Sequence, residues 1–300
     1  MSRKITPNLW FDGNAAEAVS FYIDIFPGSK LQAISNYPDS PEKGLADFQK
    51  NLAGKELTID FELAGHNFAA INAGHEFKFN NSISFMVNFD PLEDESAKEH
   101  LDTVWNKLLE SGEVLVPLEE YSFSKHYGWV KDKYGLTWQL MLTNPGGEKR
   151  PCVIPSLMFG NSAQNLAEEA INFYVSVFKD SQIGTLARYG TNTGPATGDS
   201  LMYGEFQIAE EWFATMDSAV NQSDTFNEAV SFSVACKDQA EIDYYWGKLS
   251  AVKASEQCGW CKDKYGVSWQ VVPENIADLM SKPNAFSNLM KMKKIEISNF

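Results

Sequence analysis

No apolar run in this 300-residue chain approaches the ~20 residues that a membrane-spanning helix needs. The opening Met1-Ser2-Arg3-Lys4-Ile5-Thr6-Pro7 lacks the apolar stretch of a secretory signal. Cysteine is scarce, with four residues too irregularly placed for a disulfide framework, so a reducing cytoplasm is the expected location. Positive charge is also short: 25 Lys+Arg stand against 40 Asp+Glu, a net charge of −15. A surface so uniformly acidic repels phosphate backbones and anionic lipid heads, which excludes nucleic acid and membranes as expected partners. Histidine is limited to His66, His75, His100 and His126, all in the first half. A Gly-rich G-x-G-x-G loop is absent, and with it the nucleotide-cofactor site of a doubly wound methyltransferase fold.

What the chain does have is one segment twice. Gly128-Trp129-Val130-Lys131-Asp132-Lys133-Tyr134-Gly135-Leu136-Thr137-Trp138-Gln139-Leu140 returns as Gly259-Trp260-Cys261-Lys262-Asp263-Lys264-Tyr265-Gly266-Val267-Ser268-Trp269-Gln270-Val271, with nine of thirteen residues identical. Phe21-Tyr22 likewise matches Phe173-Tyr174, and Ser84-Phe85 matches Ser231-Phe232. The offset drifts from 152 at the Phe-Tyr pair through 147 to 131 at the Gly-Trp pair, so insertions and deletions sit between elements that keep their order. The chain is a tandem duplication. Charge is duplicated too: residues 1–150 carry −8 and residues 151–300 carry −7. The turn-rich stretch from Thr143 to Pro151 is the joint between copies.

Thr6–Phe11 reads as a strand, followed by a helix that Asn14 and Glu17 are placed to cap. Ala18, Phe21, Tyr22, Ile25 and Phe26 give that helix one apolar face, repeated by Ala170, Phe173, Tyr174, Val177 and Phe178. Strands at Leu31–Tyr37, Glu56–Leu63 and Phe68–Asn72 complete a βαβββ unit. A second unit starts at Ser82–Phe89, continues through a helix at about 94–110, and closes with Tyr127–Lys131 and Thr137–Leu142. Four such units fill the chain up to Pro273, and amphipathic clusters in 274–300 predict a helical tail packed on the body.

Paired βαβββ units, a Phe-Tyr on the first helix and a closing Asp-Lys-Tyr-Gly-x-x-Trp-Gln resemble the vicinal-oxygen-chelate superfamily of glyoxalases, dioxygenases and bleomycin-resistance proteins. Within it the chain is most similar to the PhnB-like branch, labelled 3-demethylubiquinone 3-methyltransferase-like. Arg188-Tyr189-Gly190, Phe213-Ala214-x-x-Asp217 and Cys258-Gly259-Trp260 carry that likeness in the second copy. The resemblance implies an α+β fold of two half-barrel domains, at 1–145 and 146–273, with the tail at 274–300. It further implies four metal-ligand positions per half, at about Thr6, Asn72, Ser82 and Gln139, then Ile154, Asp217, Ala229 and Gln270. None is histidine and only Asp217 is ionised, so no metal and no other cofactor is expected.

The expected function is metal-independent binding of a small apolar or aromatic molecule. Aromatic walls would come from Trp10, Phe68, Trp129, Phe213 and Trp260, with Met158 in the place of Trp10 in the second copy. Polar contacts would come from Asn72, Gln139, Asp217 and Gln270, and Arg188 is placed to pair either a ligand carboxylate or a neighbouring acid. The second copy, which keeps more of the family's motifs, is expected to hold the ligand. A metal-dependent lyase or dioxygenase is the rival from another class, and a scaffold without ligand is a third. Trp138 and Trp269 are assigned to the core, and the Cys258-x-x-Cys261 pair to packing rather than redox chemistry. The expected assembly is a monomer acting as its own pseudo-dimer, with a homodimer through the Met-rich tail left open.

Overall fold

A computed structural model of the chain describes residues 3–41, 45 and 47–300. The first module is β1 (Ile5–Phe11), α1 (Ala15–Ile25), β2 (Lys30–Asn36), β3 (Glu56–Leu63) and β4 (His66–Asn72). The second is β5 (Ile83–Phe89), α2 (Ala97–Leu109), β6 (Glu113–Tyr121), β7 (Ser124–Lys131) and β8 (Thr137–Leu142). The third is β9 (Val153–Phe159), α3 (Ala167–Val177), β10 (Gln182–Arg188), β11 (Leu201–Ile208) and β12 (Glu211–Asp217). The fourth has β13 (Val230–Cys236), α4 (Gln239–Leu249), β14 (Trp260–Lys262) and β15 (Ser268–Pro273). Two short helices, α5 (Ile276–Met280) and α6 (Ala285–Leu289), follow. Among the described residues no helix is long and apolar enough to cross a membrane.

The sheets do not follow the repeat boundary. The seven-stranded sheet runs β14-β15-β13-β1-β4-β3-β2 and the eight-stranded sheet β10-β11-β12-β9-β5-β8-β7-β6. The first and fourth modules therefore share one sheet, joined where β1 pairs antiparallel with β13, Asn8 opposite Ser231. The second and third share the other, joined where β5 pairs antiparallel with β9, Ser84 opposite Ser156. Both seams are made between sequence halves. Matched bonds mark the resulting pseudo-twofold: Asn80 Nδ2 donates to the Thr225 carbonyl and Asn227 Nδ2 to the Lys78 carbonyl, each at 2.9 Å.

Alternation along each strand sorts the faces. In β1, Ile5, Leu9 and Phe11 are buried while Thr6, Asn8 and Trp10 remain half-buried. Helices α1 and α4 cover the buried face of the seven-stranded sheet, and α2 and α3 that of the eight-stranded sheet. The two helix-side faces then meet in one continuous core, for example where Phe68 meets Phe85 edge-on at 4.9 Å.

The repeated segment fastens this core. Asp132 Oδ2 accepts from the Tyr22 hydroxyl at 2.8 Å and the Trp138 indole N–H at 2.9 Å, while Oδ1 accepts from the Tyr134 and Leu136 amides. Asp263 repeats the pattern with Tyr174, Trp269 and the Tyr265 and Val267 amides. Burial pushes both carboxyls above the ordinary range, against the pull of their donors. Trp138 and Trp269 lie wholly in the core, as their assignment to structure required.

Helix capping differs from the sequence expectation. Asn14 makes no side-chain cap bond; the Ala15 amide is instead taken by Asn72 Oδ1, 3.0 Å away on β4. Asp217 does the same for α3, accepting from the Ala167 amide at 3.2 Å and from the Leu201 amide at 2.9 Å. A strand-borne cap ties each helix to its own sheet as well as filling an orphan N–H.

The fourth module lacks a strand after its helix, which accounts for the drop in offset from 147 to 131. The tail supplies the missing pairing. The Cys258 amide donates to the Met292 carbonyl at 2.8 Å and the Gly259 amide to the Lys293 carbonyl at 2.7 Å. Gly259 has a φ of +86°, and a Cβ there would sit 2.9 Å from Ile295 Cδ1, so only glycine admits the tail this closely. Earlier in the tail, Phe286 of α6 meets Tyr37, just past β2, at 6.1 Å. The tail thus connects the two edges of the seven-stranded sheet.

A buried polar cluster also joins the halves. Arg3 Nη1 bonds both carboxylate oxygens of Glu211, at 2.8 and 3.0 Å, and stands 3.3 Å from His66 Nδ1. Burial first, and the Arg3 charge second, lower the His66 pKa from 6.5 to about 3.

Two outcomes are expected. Asp132→Ala or Asp263→Ala strands four buried donors and should cost ~3–5 kcal/mol in urea unfolding, Asp132→Asn clearly less because one acceptor oxygen survives. For His66, the unfolded chain binds a proton near pH 6.5 while the folded chain resists until about 3. The unfolded state thus holds more protons in that window, and stability should fall as pH drops through it. His66→Gln should flatten the slope by up to about 1.4 kcal/mol per pH unit, one proton's worth; an unchanged slope would show that His66 is not its source.

Candidate functional site

The faces turned away from the helices are where side chains of a half-barrel converge, and the two sheets use theirs differently. On the eight-stranded sheet the face is packed. Met86, Ile154 and Ala214 are buried there against Met141, Tyr203 and Trp212. Gln139 is 1% exposed; its Oε1 accepts from the Tyr127 hydroxyl at 2.7 Å and its Nε2 donates to Ser84 Oγ at 2.8 Å and Ser156 Oγ at 3.2 Å. Arg150, from the joint, stacks its guanidinium 3.9 Å over Trp212 and bonds Glu205 Oε2 at 3.0 Å. Glu205 in turn accepts from the Tyr203 hydroxyl at 2.7 Å. Every amide and charge named is used internally. Trp129, paired with Gln139 across β7 and β8, keeps a buried N–H without a partner.

On the seven-stranded sheet the corresponding face is open. Trp10 stands edge-on to Phe77 at 5.0 Å and to Trp260 at 5.8 Å, held by its N–H bond to the Gly74 carbonyl at 2.7 Å. Trp260 lies opposite Gln270 on β14 and β15, and Gln270 Nε2 reaches Ser231 Oγ at 3.0 Å. Asn8 Nδ2 donates to the Thr6 carbonyl at 2.9 Å. All of these side chains except Ser231 are only half-buried. Asp60 shares the face: in the row Asn8–Ala69–Asp60 it lies two strands from Asn8. Its carboxylate is exposed yet closely surrounded, and the loss of hydration raises its pKa.

The expected site residues accordingly divide. Trp10, Trp260 and Gln270 come together on the open face, although they belong to opposite halves of the sequence. Met158, Trp129 and Gln139 belong to the packed face. Phe68 and Phe213 do not line either: strand alternation turns them beneath the helices, 1% and 2% exposed. Asn72 and Asp217 point the same way and serve as helix caps. Arg188 pairs with a neighbouring acid, both of its terminal nitrogens 2.7 Å from Glu168. Ligand contacts were expected from the second copy, whereas the sheet pairing builds each helix-free face from both copies. Asn8, Asp60 and Phe77 are additions. Counting by twos from Trp10 finds Asn8, but nothing in the repeat shows that β3 brings Asp60 to the same face.

The donor set does not fit a transition metal. The central strands present Thr6, Asn8, Ser231 and Gln270 on one face and Ser84, Gln139 and Ser156 on the other, hydroxyls and amides in place of imidazole and carboxylate. Among the described residues no three His, Cys, Asp or Glu side chains gather. The Cys258 and Cys261 thiols are unpaired and both are raised by burial, opposite to a reactive pair.

Two recesses lie elsewhere. One, on the pseudo-twofold between Phe79 and Phe226, has about 10 Å³, room for one water at most. The other, about 320 Å³, runs between α1 and the edge strand β2 and is walled by Val19, Ile23, Leu31, Ile34 and Ile59. It offers no convergent polar groups to orient a small ligand.

The model of the family described as 3-demethylubiquinone-9 3-methyltransferase matches residues 3–141 and again 151–272. Among curated proteins none matches the chain. A solved structure of the PhnB protein from Bacillus cereus is 37% identical, with all of that chain corresponding to 47% of this one and a TM-score of 0.39. Protein PA1353 from Pseudomonas aeruginosa is 26% identical over 47% of this chain and 98% of its own, with a TM-score of 0.39. Glyoxalase I from Zea mays is 11% identical but covers 93% of this chain and 95% of its own at a TM-score of 0.55, a likeness of fold.

Proposed function

The chain belongs to the family described as 3-demethylubiquinone-9 3-methyltransferase, and within it we propose that the open face of the seven-stranded sheet binds a small, largely aromatic molecule without a metal. The observation that carries this is the Trp10–Phe77–Trp260 cluster beside the half-buried Asn8 and Gln270, whose amide nitrogens bond the Thr6 carbonyl and Ser231 Oγ while their amide oxygens make no bond among the described residues. Aromatic walls with a few fixed polar contacts are the usual composition of a small-molecule site. The eight-stranded face, closed by Arg150, Glu205 and the Gln139 network, serves as scaffold. The methyl-transfer chemistry in the family's description has no cofactor loop in this sequence, so binding is preferred to transfer.

The two halves supply each other's pairing edge, and the chain acts as a cytoplasmic monomer on this reading. A ligand retained through purification should appear by mass spectrometry of the denatured protein, and transition metal should stay well below one equivalent after chelator dialysis. Stoichiometric zinc, nickel or iron surviving that step would overturn the metal-free reading. With para-tert-butylphenol as probe, followed by tryptophan fluorescence, Trp10→Ala, Trp260→Ala and Gln270→Ala should each weaken binding by ~1–3 kcal/mol. Trp129→Ala and Gln139→Ala should leave it nearly unchanged, and losses equal to those on the open face would refute the asymmetry.

A further inference from the structure

We propose that the open face selects an organic cation, an aromatic or alkyl ammonium whose charge is met by Asp60. This rests on the binding reading above and adds the charge of the ligand. Among the described residues the exposed Asp60 carboxylate has no hydrogen-bond or ion-pair partner. Its cross-strand neighbours on both sides are alanines, Ala69 on β4 and Ala33 on β2, so nothing bulky covers it.

Among the described residues, the two lysines that the strands β14 and β2 bring to this face are paired with other acids. Lys262 pairs with Glu228 at 2.8 Å and Lys30 with Glu62 at 3.2 Å, which leaves Asp60 as uncompensated negative charge. Asn8 adds an acceptor: because its Nδ2 is bound to the Thr6 carbonyl, which only accepts, its Oδ1 is the free end of the amide. Asn8 and Asp60 are two strand spacings apart, roughly 10 Å between Cα atoms, a span that suits a small ammonium head. The faces of Trp10, Trp260 and Phe77 are electron-rich surfaces that attract a cation, and desolvation strengthens the attraction. An anion would meet a lone carboxylate and the rings' negative faces. A neutral aromatic would leave the carboxylate to be dehydrated without a partner.

The test uses para-tert-butylphenol and its trimethylammonium analogue, which share a shape and differ by one charge. Measured at about 0.15 M salt, where the protein's overall charge is screened beyond roughly 8 Å, the cation should bind the full-length chain about tenfold more tightly than the neutral compound. Asp60→Asn should cut that ratio severalfold, by weakening the cation and by relieving the neutral compound of the carboxylate's dehydration, without lowering the melting temperature. Trp260→Ala should weaken both compounds. Equal affinities in the wild type, or a ratio unchanged by Asp60→Asn, would overturn the cation preference met by Asp60 and leave the binding site standing. Failure of both compounds to bind would overturn the site and the preference together.

Discussion

One carboxylate in each half holds four donors that belong to two different modules. Asp132 takes the Tyr22 hydroxyl from α1, which lies over the seven-stranded sheet, and the Trp138 indole from β8 of the eight-stranded sheet. Asp263 bridges α3 to β15 in the opposite sense. With the Arg3–Glu211 bond, these are points where hydrogen bonding, added to apolar contact, fixes how the sheets sit back to back. The repetition of Lys-Asp-Lys-Tyr-Gly-x-x-Trp-Gln is thereby explained without chemistry. A buried carboxylate with no cation is costly, and it is tolerated because every lone pair aimed inward finds an N–H or O–H. The two halves agree there because neither can change the acid, the tyrosine or the tryptophan alone.

Given that joint, the helix-free faces are released from structural duty and have diverged. The second and third modules filled theirs: Trp212 under Arg150, Met158 and Met86 in the space where a ligand would sit, and Gln139 tied to Tyr127, Ser84 and Ser156. The first and fourth modules kept theirs open, with Trp10 in the place of Met158 and Asp60 where the packed face has Glu205 already engaged by Arg150 and Tyr203. A filled face adds buried apolar area, worth ~25 cal/mol per Å². An open one forgoes it. That difference lets a tandem chain specialise, since one sheet can secure stability while the other bears exposed aromatics.

Much of this was legible in the sequence. The 3.6-residue stripe of α1, the alternation in β1 and β4 and the repeated closing segment identified the modules and their order, and the Phe-Tyr and Asp-Lys-Tyr-Gly motifs carried the family. Which modules share a sheet was not legible, because a repeat defines each unit's shape and is silent about its partner across β1–β13. That single unknown misgrouped the site residues. Asn72 and Asp217 misled for a different reason: a short polar side chain at a strand end reads equally as ligand contact or as cap, and only the helix amide 3.0–3.2 Å away decides. Asn14 looked like a cap by position, yet the Ala15 amide is taken by Asn72, 57 places beyond Ala15.

The tail completes the argument about asymmetry. Loss of the fourth module's outer strand left the Cys258 and Gly259 amides at the edge of the open sheet, exposed donors of the kind that invite pairing with another chain. Met292 and Lys293 occupy them, Ile295 seals the contact against Gly259, and Phe286 reaches the far edge at Tyr37. In the eight-stranded sheet the matching position keeps β6, which pairs with β7 and is itself the edge. The sheet that carries the exposed aromatic face is thus also the one whose two edges are strapped by the C-terminal residues. Its geometry is held from outside rather than by packing the face itself, which allows that face to stay open.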